Sequence, residues 1–252
     1  MTLYVKTITL GAALAWLFAG LALCSSAHAI EGPFYSEEGS RLLTGESAQF
    51  KTGVRINKFG LSTSKLTLTC GGAESFRGSQ FKGSTGHHPG HLTEKLIIGE
   101  CTVAGNGTGC EVYKDSIVTE PLIGTLTYPK GTPAKSDDIL EHVHPESGST
   151  LMEVKFVGSA CIQSSFIVEG SITGEVTGAT YTERIKVGEE PAEDWLGGVI
   201  FAPTNITSSW EELGESSFEE QHSTMTMDGE PAQLEFDQVF YLVTKNKWGV
   251  YT

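Results

Sequence analysis

Basic residues are scarce: 17 lysines and arginines stand against 31 aspartates and glutamates, a formal net charge of −14. That deficit excludes nucleic acid and anionic membrane surfaces as partners, because both would repel the chain. Sustained helical periodicity is missing too, since no stretch repeats its apolar residues at three and four positions for long enough to form an amphipathic helix. The short signatures of common chemistries are also absent. There is no Gly-x-Ser-x-Gly elbow for a serine nucleophile and no His-Glu-x-x-His helix for a metalloprotease. Phosphate-binding and EF-hand calcium loops are lacking as well.

Long apolar runs occur only at the N-terminus, where Lys6 precedes ITLGAALAWLFAGLALC and Ala27-His28-Ala29 supplies a small-x-small cleavage pattern. This predicts a signal peptide over residues 1–29, cut before Ile30, rather than a retained anchor. Leu23 before Cys24 departs from the small residue that a lipoprotein requires. The 223 residues that remain hold 31 acidic and 16 basic side chains, a net charge of −15, and no membrane span. They are expected outside the cytoplasm, secreted or at the cell surface. A single β-rich domain over 30–252 suits this length, with an acidic connection at 186–198 around Pro191.

What the chain has in quantity is alternation with a period of two. In KLTLTC, Leu66, Leu68 and Cys70 point one way while Thr67 and Thr69 point the other. In LMEVKFVGSA, Met152, Val154 and Phe156 lie opposite Glu153 and Lys155. In QLEFDQVFYLV, Leu234, Phe236, Phe240 and Leu242 align, and Gln238 interrupts their face. Further strands are predicted at Leu92–Val103, Cys110–Val118, Leu122–Tyr128, Ser165–Gly170, Ser171–Thr177, Val199–Phe201 and Thr224–Met227. Only Ala192–Leu196 and Trp210–Leu213 have helical character, each long enough for one turn. The fold class is therefore all-β, an antiparallel β-sandwich or barrel-like domain with disulfides.

Cys24 leaves with the signal, so Cys70, Cys101, Cys110 and Cys161 remain, and an even count in an exported chain predicts two disulfides. Cys101 and Cys110 flank the loop Ala104–Gly109, which holds three glycines and Asn106. Their parity with Val103 and Val112 predicts a hairpin stapled by Cys101–Cys110, a restraint of about 2.7 kcal/mol in the chain-entropy picture. Cys70 then pairs with Cys161 by elimination. Zinc would need two further ligands close by, and a redox pair would need two intervening residues at a helix start.

The stretches LTLTC, CTV…GC.V, TEPLIGTLTY and C…FIVEGSITGEVTG, spanning Leu66 to Gly178, carry a resemblance. The chain resembles uncharacterised exported bacterial β-rich proteins with four mature cysteines. The resemblance implies an exported β body and brings no activity, cofactor or site residue with it.

Histidine is the most suggestive chemistry. GHHPGH supplies His87, His88 and His91, and EHVHPE supplies His142 and His144, which share a face if that segment is extended. Were the two loops to converge, they could grip zinc or copper in a metal-dependent secreted enzyme; otherwise both are solvated polar loops beside prolines. The acid pairs Asp137-Asp138 and Glu193-Asp194 could serve glycoside hydrolysis only across a cleft. Tyr181, Trp195, Phe201, Trp210 and Trp248 could stack sugars on a β face, or fill a core. The sequons at Asn106 and Asn205 accept glycans only in a host with that machinery. Lys51-Thr52-Gly53 and Ser62–Lys65 imitate motifs of penicillin-binding serine enzymes, but in inverted order and without a Ser-Asp-Asn element. The expectation is a non-catalytic secreted β protein with no catalytic, cofactor or metal residues, binding an extracellular ligand, a glycan or a protein, or serving a structural role. A metal enzyme and a glycan-binding module are the alternatives.

Overall fold

The computed structural model describes residues 34–37, 40–54, 59–83, 88–129, 139–177, 198–201, 206–214, 217–244 and 248–251. Eight of its strands close into a ring: β1 (Ser47–Val54), β2 (Gln80–Lys82), β3 (His91–Glu94), β4 (Leu122–Thr127), β5 (Leu140–Pro145), β6 (Ile172–Thr177), β7 (Gly198–Phe201) and β8 (Gln233–Leu242). Each pairs antiparallel with the next in chain order, and β8 returns to β1 through Phe240↔Thr52 and Leu242↔Phe50. The all-β class is thus realised as a closed up-and-down barrel, with the other strands inserted between its staves.

Alternation decides which side chains enter the barrel. From β8, Leu234, Phe236, Gln238, Phe240 and Leu242 are buried while Glu235 is exposed. Leu92 and Glu94 of β3 face Gly124 and Leu122 of β4, which in turn face Val143 and Pro145 of β5. Outward positions of the same ring include the exposed Gln49, Lys51 and Glu175. The inside is thus largely apolar, while the outside mixes such polar residues with Ile123 and Leu140. Among the described residues no helix is long and apolar enough to cross a membrane.

One end of the barrel is plugged by the small sheet of Phe34–Glu37, Ser40–Arg41 and Trp248–Tyr251. Tyr35 stacks on Phe81 with ring centroids 4.2 Å apart, and Trp248 lies 5.0 Å from Phe81 and 5.6 Å from Phe240. The Trp248 Nε1–H donates to the Phe240 carbonyl at 2.9 Å, so the indole buries its ring without losing its polar partner. At the other end, Phe59–Ser62 joins the first half of β8, and Thr67–Ser75, Leu96–Ala104 and Ser116–Val118 extend the sheet from there. A separate five-stranded sheet of Glu111–Val112, Thr150–Val157, Ser165–Gly170, Met225–Met227 and Glu230–Pro231 completes that end.

The cysteines form two disulfides, but not as a hairpin staple. Cys70 bonds Cys101, and Cys110 bonds Cys161. The predicted pairs Cys101–Cys110 and Cys70–Cys161 are therefore corrected. Leu96–Ala104 pairs with Thr67–Ser75, in a register that sets Cys70 directly opposite Cys101 with Cα atoms 3.9 Å apart. Beyond Ala104 the chain leaves this sheet, and Glu111–Val112 pairs instead with Val157 and Phe156. Asn106, 1% exposed, fixes that departure: its amide nitrogen donates to the Gln163 carbonyl at 3.1 Å and its side-chain oxygen accepts from the Gln163 N–H at 3.0 Å. The glycine-rich loop is thus a clasp onto Ser159–Gln163, not a turn between partners. By the chain-entropy measure, rings of 31 and 51 residues are each worth about 4 kcal/mol.

Two further expectations change. Trp210–Leu213 lies in a strand, Ser208–Gly214, paired with Ser217–His222 as a hairpin that meets the barrel at the bridge Tyr128↔Trp210. EHVHPE is no solvated loop, because it is the stave β5, with Glu141 and His142 buried. The signal segment 1–29, the fragment Ala192–Leu196 and residues 186–197 of the acidic connection lie outside the described residues.

Candidate functional site

Two features of the barrel lie along its interior: a polar layer sealed inside, and a pocket at the end opposite the aromatic plug. The layer begins with Glu94 on β3. Its Oε2 accepts from Gln238 Nε2 at 2.7 Å and from the Thr52 hydroxyl at 3.4 Å. Gln238 is the residue that interrupts the apolar face of β8, and its position across the barrel from Glu94 explains why glutamine stands there. Glu141 on β5 accepts from the Tyr35 phenol at 2.9 Å, while its Oε1 has no hydrogen-bond partner among the described residues. Gly124 makes room for it, since a Cβ there would collide with the Glu141 carboxyl and press Leu92 at 3.0 Å.

Burial dominates the chemistry of both acids. It raises Glu94 to about 7, against the opposing hydrogen bonds from Gln238 and Thr52. It raises Glu141 to about 8, with the charge of Glu94 adding to the shift and the Tyr35 hydrogen bond opposing it. Burial, then the neighbouring Glu141, push the Tyr35 phenol upward, so Tyr35 remains the donor. At acid pH the layer is neutral, and its carboxyls fit an apolar interior.

The pocket, of ≈ 320 Å³, opens where β6, β7 and the start of β8 meet the five-stranded sheet. Its floor is apolar, with Ile172, Phe201, Met225 and Leu234, and its rim carries the hydroxyls of Ser171, Thr173, Thr207, Ser223, Thr224 and Thr226. Among the described residues no charged side chain lines it. Gly170, at φ 104°, lets the Thr224 backbone close against the turn before β6, an approach that any Cβ would block. Beneath the floor lies a smaller cavity of ≈ 30 Å³, bounded by the same four floor residues and reaching Glu94 and Gln238. Its polar neighbours are engaged elsewhere: Gln238 on Glu94, and Thr119 Oγ1 as acceptor of the Leu96 N–H at 2.9 Å. What faces the cavity is therefore hydrocarbon.

The rim is tied to a histidine. His142 Nδ1 lies 3.0 Å from Thr173 Oγ1, which is 2.6 Å from Ser223 Oγ. Burial, then His144, lower His142 to about 4, so the imidazole is neutral at pH 7 and acts as a hydrogen-bonding strut for the rim.

The histidine loops converge only in part. His142 and His144 share the outer face of β5 with ring centroids 6.0 Å apart. His91 and His142 flank Thr125 from opposite neighbouring strands, a separation of about 10 Å across two strand spacings. Burial, then Glu219, raises the pKa of Glu211 against the opposing charges of His144 and the exposed His88, and the Glu211 carboxyl accepts from Gln221 at 3.2 Å. Among the described residues no group of three His, Cys, Asp or Glu side chains is placed to hold a metal ion. His87 and the pairs Asp137-Asp138 and Glu193-Asp194 lie outside the described residues. Among the described residues these aromatics stand apart: Phe201 stacks on Phe236 at 6.2 Å, Trp248 belongs to the plug and Trp210 to the hairpin. Tyr181 and Trp195 are outside the described residues.

No family model, curated protein or solved structure matches the chain.

Proposed function

We propose that this chain is a non-catalytic extracytoplasmic binding protein that holds a small uncharged ligand at the open mouth of its barrel. The observation that carries the proposal is the ≈ 320 Å³ pocket, whose lining joins six hydroxyl side chains, those of Ser171, Thr173 and Ser223 already hydrogen-bonded within the protein, to an apolar floor, with no charged side chain among the described residues. Pockets of this size at barrel mouths orient a ligand through a few polar groups and bind it through apolar area. Hydroxyls suit a sugar or another polyol, which joins this reading to a glycan-binding role. Two disulfides and the apolar N-terminal stretch ending in Ala27-His28-Ala29 support export.

The test is calorimetric titration of the mature chain with octyl β-glucoside and, in parallel, 1-monooctanoylglycerol, both below their micelle concentrations. One molecule bound per chain is expected, with binding lost in Ala232→Trp, which fills the pocket from the side of its lining. Failure of the wild type to bind either compound would overturn the proposal.

A further inference from the structure

Pocket and inner cavity meet at four side chains: Ile172, Phe201, Met225 and Leu234. Met225 is the adaptable member of this wall. It is only half-buried, sits on the short strand Met225–Met227, and is unbranched with three rotatable bonds, whereas Ile172 and Phe201 belong to barrel staves. Behind the wall the cavity is bounded chiefly by hydrocarbon, from Leu122 and Val143 on the barrel side to Leu96, Leu151 and Met152 on the far side. A polar ligand gains nothing there, while an alkyl chain would meet apolar surface throughout. In front of the wall stand the hydroxyls.

We infer that the ligand is a neutral amphiphile, with a polyol-type head on the hydroxyl rim and an unbranched alkyl tail that displaces the Met225 side chain and enters the cavity above Glu94 and Gln238. This rests on the pocket being a binding site and deepens it by fixing the ligand's polarity and direction. The tail points into the barrel and the head toward solvent. Anionic amphiphiles are disfavoured, because the rim offers no cation among the described residues and the chain is strongly acidic.

The test is a chain-length series of alkyl β-glucosides, from butyl to decyl, with monoacylglycerols of matching tails as a second arm, titrated below micelle concentration. In the wild type, affinity should rise about fourfold per methylene, the factor for burying one CH₂, and continue to rise once the tail is longer than the outer pocket. Val143→Leu fills the inner cavity without touching the outer pocket, which Val143 does not line. There the rise should stop earlier, with short-tailed members binding as in the wild type. Met225→Ala should strengthen long-tailed members over short ones. Gains limited to one arm would identify the preferred head. Identical chain-length curves in wild type and Val143→Leu, or binding that ignores tail length, would overturn the inference while leaving the pocket itself standing. No binding by any member would instead defeat the binding reading from which it starts.

Discussion

The two ends of the barrel solve the same problem in opposite ways. At one end Tyr35, Phe81, Phe240 and Trp248 interlock, and the only buried polar ends, the Tyr35 hydroxyl and the Trp248 N–H, each find an acceptor. At the other, half-buried Ile172 and Met225 cover a cavity, and hydroxyls border an open pocket. Dense aromatic packing fixes a single arrangement, whereas a loosely filled wall of flexible side chains leaves space that a ligand can take. The first end is packed for stability, and the second holds the space in which binding is proposed.

The sharpest way to break this contrast is to truncate the plug. Phe81→Ala removes a ring with no exposure that touches four other aromatics, Tyr35, Phe50, Phe240 and Trp248, and should cost about 3–5 kcal/mol in urea unfolding. A much smaller loss would show that the plug is not the stabilising end.

The layer between the ends sets a pH dependence. Glu94 and Glu141 are raised in the folded chain from 4.5 to about 7 and about 8, so the folded state keeps protons that unfolded carboxyls release. Their contribution is complete below about pH 4.5 and is lost as pH climbs through the folded values, with a slope of at most about 1.4 kcal/mol per pH unit for each group. His142 acts in the opposite sense: lowered from 6.5 to about 4, it costs stability as pH drops through that interval. Urea midpoints should therefore fall between pH 6.5 and pH 8, and the double change Glu94→Gln and Glu141→Gln should remove that fall while exposing the His142 loss at lower pH. An unchanged slope in the double variant would show that the layer does not titrate as described.

The smallest effect is expected at the open end. Met225→Ala removes a half-buried side chain beside existing empty space, and should cost about 2 kcal/mol or less in the same unfolding assay. A loss equal to that of Phe81→Ala would erase the distinction between the two ends.

Much of the architecture is legible as alternation. Thr150–Val157 and Gln233–Leu242 read correctly because each sets a continuous apolar face against polar neighbours. Gln238 even announces the polar layer, though only the fold supplies Glu94 as its partner. Other segments hide their structure for physical reasons. Leu140–Pro145 has three polar residues and a proline, so its composition resembles a loop; it is buried because Glu141 faces a polar interior and His142 reaches Thr173. Gln80–Lys82 is a three-residue stave, too short for any periodicity to register. Local turn chemistry does not show that the chain changes sheets after Ala104, so the expected hairpin staple gives way to Cys70–Cys101 and Cys110–Cys161. The pocket was invisible because its lining comes from the ends of many short segments, none distinctive alone.

The Asn106 clasp has a practical consequence. Asn106-Gly107-Thr108 is an acceptor sequence for carbohydrate, yet the folded chain uses that amide to grip Gln163 and contact Cys110 Sγ at 3.2 Å. In a eukaryotic secretory host, where sugar is added to nascent chains, a modified Asn106 could not enter its buried seat, and Cys110 would be held away from Cys161. Material for biophysical work is therefore best made in a bacterial periplasm, which oxidises thiols without decorating asparagine.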